Sequence, residues 1–335
     1  MQNLVTIGIL SYKDKKYLQQ ALPSLLAQAY SNIEILVCDN NEDPANEIAN
    51  WVAQEFPTVK VLNAGGNVGF GNGHNHLINN AKGDFYLCFN SDMYASKDYV
   101  EKLLSPFSEN PKLAVVTGKI YKWSNFPENP TAITRNYFDT LGLIAYQNHS
   151  FQERGHAQKD IGQFETLESI WGCSGASPMF NLKLLRNVQH DQGEFFDSNF
   201  FMYKEDIDLM YRLKWAGYEC LYQPTAIAWH DRTAEDPGGV IENIKKRRER
   251  SIYIKENSFL NHLCLVYKNW SSDYSLMTHL KTGLFLLKYN LYLLIFDPKV
   301  LKVYTKFNKI LPNLRQKKLS MPRAITAAEM EKWFY

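Results

Sequence analysis

A chain of 335 residues with 45 % hydrophobic and 21 % charged content suits one large or two ordinary globular domains and excludes a disordered protein. Its cysteines, Cys38, Cys88, Cys173, Cys220 and Cys264, stand singly, which argues against a disulfide framework or zinc site and predicts buried, reduced thiols in a cytosolic protein. The net charge of +2 hides an asymmetry: 18 Lys and Arg face 6 Asp and Glu from Lys245 onward, leaving 19 against 29 before it, an acidic body with a basic arm.

The N-terminus shows no basic stretch followed by an apolar run, so no signal peptide is expected. Val5 to Leu10 reads as a buried first strand, and Lys13 to Tyr30 has helical spacing with Pro23 predicting a kink. Ile33 to Cys38 is a second strand ending in Asp39-Asn40-Asn41. Pro44 opens a helix to about Phe56, since Pro is tolerated in the first turn. Val59 to Leu62 is a third strand, followed by the glycine-rich turn Gly65 to Gly73 and a helix through Asn80. Phe85-Tyr86-Leu87-Cys88-Phe89 is a fourth strand, running into Asn90-Ser91-Asp92. Such strand–helix alternation predicts an α/β, doubly wound, mostly parallel sheet with right-handed crossovers. Ligands of such sheets sit beyond the carboxyl ends of the strands, so Asp39 and Asp92 should face one crevice. The plainer reading of Asn90-Ser91-Asp92 is a turn, which these residue types favour.

A helix near Asp98 to Phe107 and a strand over Ala114 to Tyr121 come next. Trp123 to Gln163 is rich in Asn, Gly, Pro and aromatics and reads as an irregular β region on an acceptor side. Trp171, among the small residues Gly172 to Ala176, is either core or a platform on which a sugar ring stacks. Phe195 to Asp208 brings Glu205, Asp206 and Asp208 to the head of a helix that runs to about Ala216, with Gly217 as its cap. Acids there stabilise the helix dipole by about 0.3–1 kcal/mol each. The aromatic crowding before them also raises a carboxyl pKa, which suits a general base. His230 ends a further apolar run, Ala226 to Trp229.

In the basic arm, Lys245-Lys246-Arg247-Arg248-Glu249-Arg250 leads to an apolar stretch from Leu284 to Phe296. As a helix those residues reach about 20 Å, short of the roughly 30 Å hydrocarbon core. Helices lying on an anionic membrane surface are expected, with a homodimer contact as the competing use of the same faces.

Taken in order, Ser11-Tyr12-Lys13, Val37-Cys38-Asp39-Asn40, Asn67 to Asn75, Asn90-Ser91-Asp92, Phe138 to Gly142, Gly172 to Ala176, Phe200 to Leu209 and the terminal His230 form a pattern. It resembles the family 2 glycosyltransferases of GT-A fold, most closely the bacterial rhamnosyltransferases, over about Leu4 to His230. The resemblance implies a glycosyltransferase domain over 1–240, with a donor half over 1–121, an acceptor half over 122–240, and a helical C-terminal region over 241–335. It implies nucleotide binding by Ser11, Tyr12, Asp39, Asn67, Gly71, Asn75, Asn90 and Asp92. It makes Asp206 the catalytic base, Asp92 and His230 the protein ligands of Mn²⁺ or Mg²⁺, and Trp171, Gly172 and Glu205 acceptor-binding residues. Asn90 departs from the family's Asp-x-Asp pattern, in which an acid stands at that position. The implied reaction is inverting transfer of a sugar, rhamnose from dTDP-rhamnose, to a hydroxyl of a glycan or polyprenyl-diphosphate-linked acceptor in cell-surface polysaccharide synthesis. A UDP-hexose or galactofuranose donor is the alternative, and an inactive sugar-nucleotide-binding relative is the alternative of another class. The expected location is cytoplasmic, peripheral on the inner face of the plasma membrane.

Other classes fit less well. A dinucleotide oxidoreductase needs Gly-x-Gly-x-x-Gly directly after strand one, where Ser11-Tyr12-Lys13 stands instead. A nucleotidyltransferase wants a basic, glycine-rich loop at the same place. No nucleic-acid partner is expected, because the acidic body offers no second contact surface.

Overall fold

The computed structural model describes residues 2–123, 137–232 and 249–335. The expected domain boundary at 240/241 and the basic run Lys245 to Arg248 lie outside these residues. Ten strands form the main sheet: β1 (Val5–Ser11), β2 (Ile33–Asp39), β3 (Lys60–Asn63), β4 (Phe85–Cys88), β5 (Met93–Ala95), β6 (Leu113–Lys122), β7 (Phe138–Thr140), β10 (Glu168–Ile170), β11 (Met179–Asn181) and β12 (Glu219–His230). Strands β8 (Leu143–Ala145) and β9 (Phe151–Glu153) pair separately.

The main order is β10-β12-β6-β11-β4-β1-β2-β3. The first four strands of the chain pair in parallel as expected, with Gly8 beside Cys88, Ser11 beside Asp39 and Asp39 beside Asn63. Their carboxyl ends therefore share one rim. Period-two alternation divides their side chains between the two faces. Val5, Ile7, Ile9, Ile35, Val37 and Leu87 face α1 (Lys15–Leu26), while Leu36, Cys38, Tyr86 and Cys88 face the other core. All five cysteines are free and buried, as their apolar settings predict.

Boundaries shift where local hydrogen bonding wins. Helix α2 (Glu47–Glu55) starts after Pro44, because the Asp43 carboxylate accepts the amides of Ala45 and Glu47 and holds a turn ahead of it. Helix α1 ends at Leu26, with Pro23 inside it. The next helices are α3 (Phe70–Asn79), α4 (Tyr99–Leu104), α5 (Leu182–Arg186) and α6 (Glu205–Trp215). Gly217 does cap α6: at φ +76° it sends its amide to Lys214 while Tyr218 bonds Leu213.

The expected donor and acceptor halves are woven into one sheet. The three-residue β11 sits antiparallel between β4 and β6, and β12 runs parallel to β6. Nor is the C-terminal region a detached arm. Helices α7 (Ile252–Asn269), α8 (Leu276–Phe296), α9 (Val303–Ser320) and α10 (Ala327–Glu331) close on the body through α7 and α9. Lys268 of α7 and Lys317 of α9 both reach the buried Asp197.

Candidate active site

Strand β5 follows Asp92 directly and pairs antiparallel with the end of β12, setting His230 opposite Met93. The amide of Asp231 bonds the carbonyl of Asp92 at 2.9 Å. Two residues far apart in sequence are thereby locked side by side: His230 Nε2 lies 3.1 Å from Asp92 Oδ1. On its other side His230 Nδ1 donates to Asp139 Oδ2 at 2.8 Å. Burial opposes a charge on this imidazole, but Asp92 and Asp139 outweigh it and hold the pKa up to about 10. Burial likewise works against the Asp139 carboxylate, yet His230, Arg232 and His156 keep it below the usual range.

Asp206 enters from the first turn of α6. Its Oδ2 accepts the Gly175 amide at 2.9 Å and its Oδ1 the Ile207 amide at 2.8 Å. Desolvation raises its pKa, while these amides and the charge of Arg232 pull it back. Its neighbour Glu205 is buried and raised to about 8 by burial and then by the Asp206 charge. Burial raises both carboxyls, and the Asp206 charge adds to it at Glu205, which favours a proton on Glu205. Environments that push two adjacent acids apart are how acid and base roles become assigned.

Two open cavities meet here. One, of about 500 Å³, is lined by Asn90, Asp92, Glu153, Glu205, Asp206, His230 and Arg232. The other, of about 450 Å³, is lined by Tyr12, Lys13, Asp14, Asn40, Asn67, Gly69, Asn90 and Asp92. Asn90 and Asp92 border both. Gly69, at φ +82°, precedes α3 where any Cβ would lie 2.3 Å from the carbonyl oxygen of Phe201, so the backbone itself forms the wall there.

The sequence profile described as Glycosyl transferase family 2 matches residues 6–189, more than half of the chain. The chain belongs to glycosyl transferase family 2. It is 26 % identical over 223 residues to the poly-beta-1,6-N-acetyl-D-glucosamine synthase of Staphylococcus epidermidis, covering 65 % of this chain and 47 % of that protein. It is 26 % identical over 195 residues to glycosyltransferase GlyA of Streptococcus pneumoniae serotype 4, covering 57 % of this chain and 26 % of that protein. The chain thus spans half or less of these curated relatives. Among solved structures, GalNAc-T7 with UDP, GalNAc and Mn²⁺ aligns with a TM-score of 0.55 over 81 % of this chain and 48 % of that one, at 11 % identity. That likeness is one of fold, and it agrees with the GT-A architecture read from the sequence.

Within this glycosyltransferase domain, Tyr12, Asn67, Asn90, Asp92, Glu205, Asp206 and His230 line the cavities. Other expected site residues hold the scaffold. Ser11 is buried and donates to Asp14 Oδ1. The Asp39 carboxylate accepts from the amide and side chain of Asn41 and the amide of Ala49, shaping the loop from which Asn40 reaches the cavity. Gly71 abuts Phe196, where an added Cβ would sit 3.0 Å from that side chain. Asn75 is buried and clamps the backbone of Phe195 and Phe196 with both ends of its amide.

Trp171 takes the core setting, one of its two readings. It is 3 % exposed and packs against Phe151 and Tyr211 at ring distances of 4.8 and 5.0 Å, so it offers no open face to a sugar in the Asp206 cavity. Gly172 lies behind it, where a Cβ would strike Met210 at 2.7 Å.

Three side chains at the site escaped prediction: Asp139, Glu153 and Arg232. Arg232 bonds Glu153 Oε1 at 2.9 Å and lies 3.7 Å from Asp139. Asp139 stood within a quoted motif, and an acid inside an apolar run is itself a signal of a buried partner. Arg232 and Glu153 carried no comparable signal.

The donor set at Asp92 and His230 fits a divalent cation. An imidazole steered by a carboxylate on its far nitrogen is the usual support of a metal-binding histidine. The proton that His230 holds between two carboxylates marks a place where positive charge is stabilised. His190, Asp197 and Asp208 also bring ligand-type atoms together, but Lys268 Nζ already stands among them, 2.5 Å from Asp197, 2.8 Å from Asp208 and 3.2 Å from His190. An ammonium there does the work a cation would do.

Proposed function

We propose that this chain is an inverting glycosyltransferase that moves a sugar from a nucleoside-diphosphate donor to an acceptor hydroxyl. The observation that carries this reading is a desolvated Asp206, held by two backbone amides, facing the same cavity as the Asp92–His230 pair, next to a second cavity on the sheet rim. The rim cavity takes the nucleotide, with Tyr12, Lys13, Asn40 and Asn67 around it. The shared border at Asn90 and Asp92 takes the diphosphate. The Asp206 cavity takes the acceptor.

Asp92 and His230 would hold Mn²⁺ or Mg²⁺, with Asp139 orienting the imidazole; when bound, the ion supplies Lewis-acid stabilisation of the leaving diphosphate. Asp206, fixed by the Gly175 and Ile207 amides, accepts the proton of the attacking hydroxyl. Glu205 stays protonated beside it and adds no repulsion. One displacement inverts the anomeric centre, so no Ser or Cys nucleophile is needed. Arg232 balances the charge of Asp206 and Glu153 on the acceptor side.

The donor is dTDP-rhamnose by the sequence resemblance. A UDP-linked amino sugar is the second reading, favoured by relatives named for N-acetylglucosamine polymers. Acceptors are glycan or lipid-linked hydroxyls in surface polysaccharide synthesis. Calorimetry with dTDP- and UDP-sugars, with and without Mn²⁺, tests the site. One donor class should bind tighter with the ion, and Asp92→Ala and His230→Ala should each remove that gain. Binding that ignores Mn²⁺ in all three proteins would overturn the metal assignment, and no binding by either class would overturn the donor assignment.

A further inference from the structure

Helix α8 has two apolar faces. One is packed: Leu293 is fully buried with Phe259, Val300 and Val303. The other is open. Met277, Leu280, Leu284, Leu287, Leu291 and Leu294 recur every three or four residues, and each is between 49 and 60 % exposed. Ile295 and Phe296 extend this face at the helix end with 68 and 55 % exposure. Monomeric proteins rarely leave so continuous an apolar strip in water.

The charges on α8 itself have one sign. Helix α8 contains no acid, and Lys281 and Lys288 stand exposed along one edge of its open face. Lys299, Lys302 and Lys309 follow, all exposed, and Lys306 is paired with Glu256 of α7 at 2.6 Å. The one acid between Leu276 and Ser320, Asp297, is taken by Lys255 at 2.8 Å. Among the described residues no helix is long and apolar enough to cross a membrane, and α8 buries Thr278, Thr282 and Leu293 against the protein. A helix with that division lies in a bilayer surface.

We propose that α8 seats the protein on an anionic bilayer, the leucine strip entering the acyl boundary and the lysines meeting lipid phosphates. The heptad-like spacing of the strip would also suit a second copy. The α8 helix of that partner would bring lysines and no acid of its own to meet Lys281 or Lys288, so charge complementarity favours lipid. Helix α7 links the seat to the lip of the Asp206 cavity. In α7, which packs on α8, Asn261 Nδ2 donates to the carbonyls of Met202 and Tyr203 at 2.7 and 2.9 Å, and Lys204 Nζ donates to the carbonyl of Ser258. Met202, Tyr203 and Lys204 all line the Asp206 cavity. A membrane-held acceptor would meet this lip. The seat itself does not depend on the catalytic reading.

Flotation of the whole chain with phosphatidylcholine vesicles, with and without phosphatidylglycerol, tests the proposal at low and high salt. The protein should float with phosphatidylglycerol vesicles and partition about tenfold less onto phosphatidylcholine alone. Leu284→Ser/Leu287→Ser/Leu291→Ser should lower partitioning about tenfold or more at both salts, with an unchanged thermal midpoint because these side chains lie outside the core. Lys281→Glu/Lys288→Glu should lose binding chiefly at low salt, which keeps the test independent of the leucine variant. The proposal falls if the wild type does not float, or if both variants float like the wild type. It also falls if sedimentation shows a dimer that the leucine variant converts to monomer, since a second copy then covers the strip.

Discussion

Two clusters of buried charge sit within one turn of each other on α6, and they are built in opposite ways. Asp208 points away from the cavities. It is fully buried, bonded by Arg212 Nε at 3.1 Å and by Lys268, which also holds Asp197. Lys317 adds a further cation, and together the two lysines overcome burial and drive the Asp197 pKa well down. Glu205 and Asp206 point into the cavity. Lys204 and Arg232 act on them only at a distance, and both pKa values are raised. One cluster is neutralised and fastens α6, α7 and α9 together. The other is left short of cations, which is the condition for taking a proton at neutral pH. The two clusters thus differ in their cations before any sequence motif is considered.

The largest expected effect falls on the under-compensated side. Asp206→Asn keeps the shape but removes the base, and its single amide oxygen can accept only one of the Gly175 and Ile207 amides, so transfer should drop by about 10²–10⁴. Donor binding and the thermal midpoint should stay near wild type. A rate assay beside a melting curve reads both, and an Asp206→Asn enzyme retaining most of its turnover would end the assignment. On the compensated side the pattern reverses. Lys268→Met leaves Asp197 and Asp208 buried with one cation fewer each. Breaking a buried pair this way costs about 3–5 kcal/mol. Urea denaturation should show that loss even with nucleotide present. A Lys268→Met protein as stable as wild type would mean that the ion cluster is ornamental and the contrast is void.

Much of this was legible in the sequence, for a physical reason. β1, β2 and β4 are apolar runs that stop abruptly at polar residues, and a parallel sheet must place those stops on one rim. Asp92 stands just past such a stop, and His230 ends the apolar run of β12. The head of α6 showed three acids behind a crowd of aromatics, which marked a desolvated carboxyl. What the sequence could not show is which way each acid faces: Glu205, Asp206 and Asp208 look alike until α7 supplies Lys268 from sixty residues away. β11 escaped because three residues carry no period. Trp171 was ambiguous because an indole among small residues suits a core and a sugar platform equally. Only the rings of Phe151 and Tyr211 packed on it decide for the core.

The smallest effect is also the one that tests the uncompensated cluster most directly. In the folded protein the Glu205 carboxyl is raised to about 8, by burial first and the Asp206 charge second. In the unfolded chain an ordinary Glu ionises near about 4.3. Between those values the unfolded chain has released a proton that the native state keeps. Stability from this group is therefore fully present below about pH 4.3 and declines as pH rises towards 8, at up to about 1.4 kcal/mol per pH unit. Glu205→Gln keeps the neutral form at every pH and removes that decline. The variant should match wild type near about pH 4.5 and exceed it by about 1 kcal/mol or more near pH 8, as read by urea titration at both values. Parallel curves for the two proteins would show Glu205 ionised in the native state. Asp206 would then face a neighbouring negative charge, and the division of the pair into a neutral acid and an ionised base would fail.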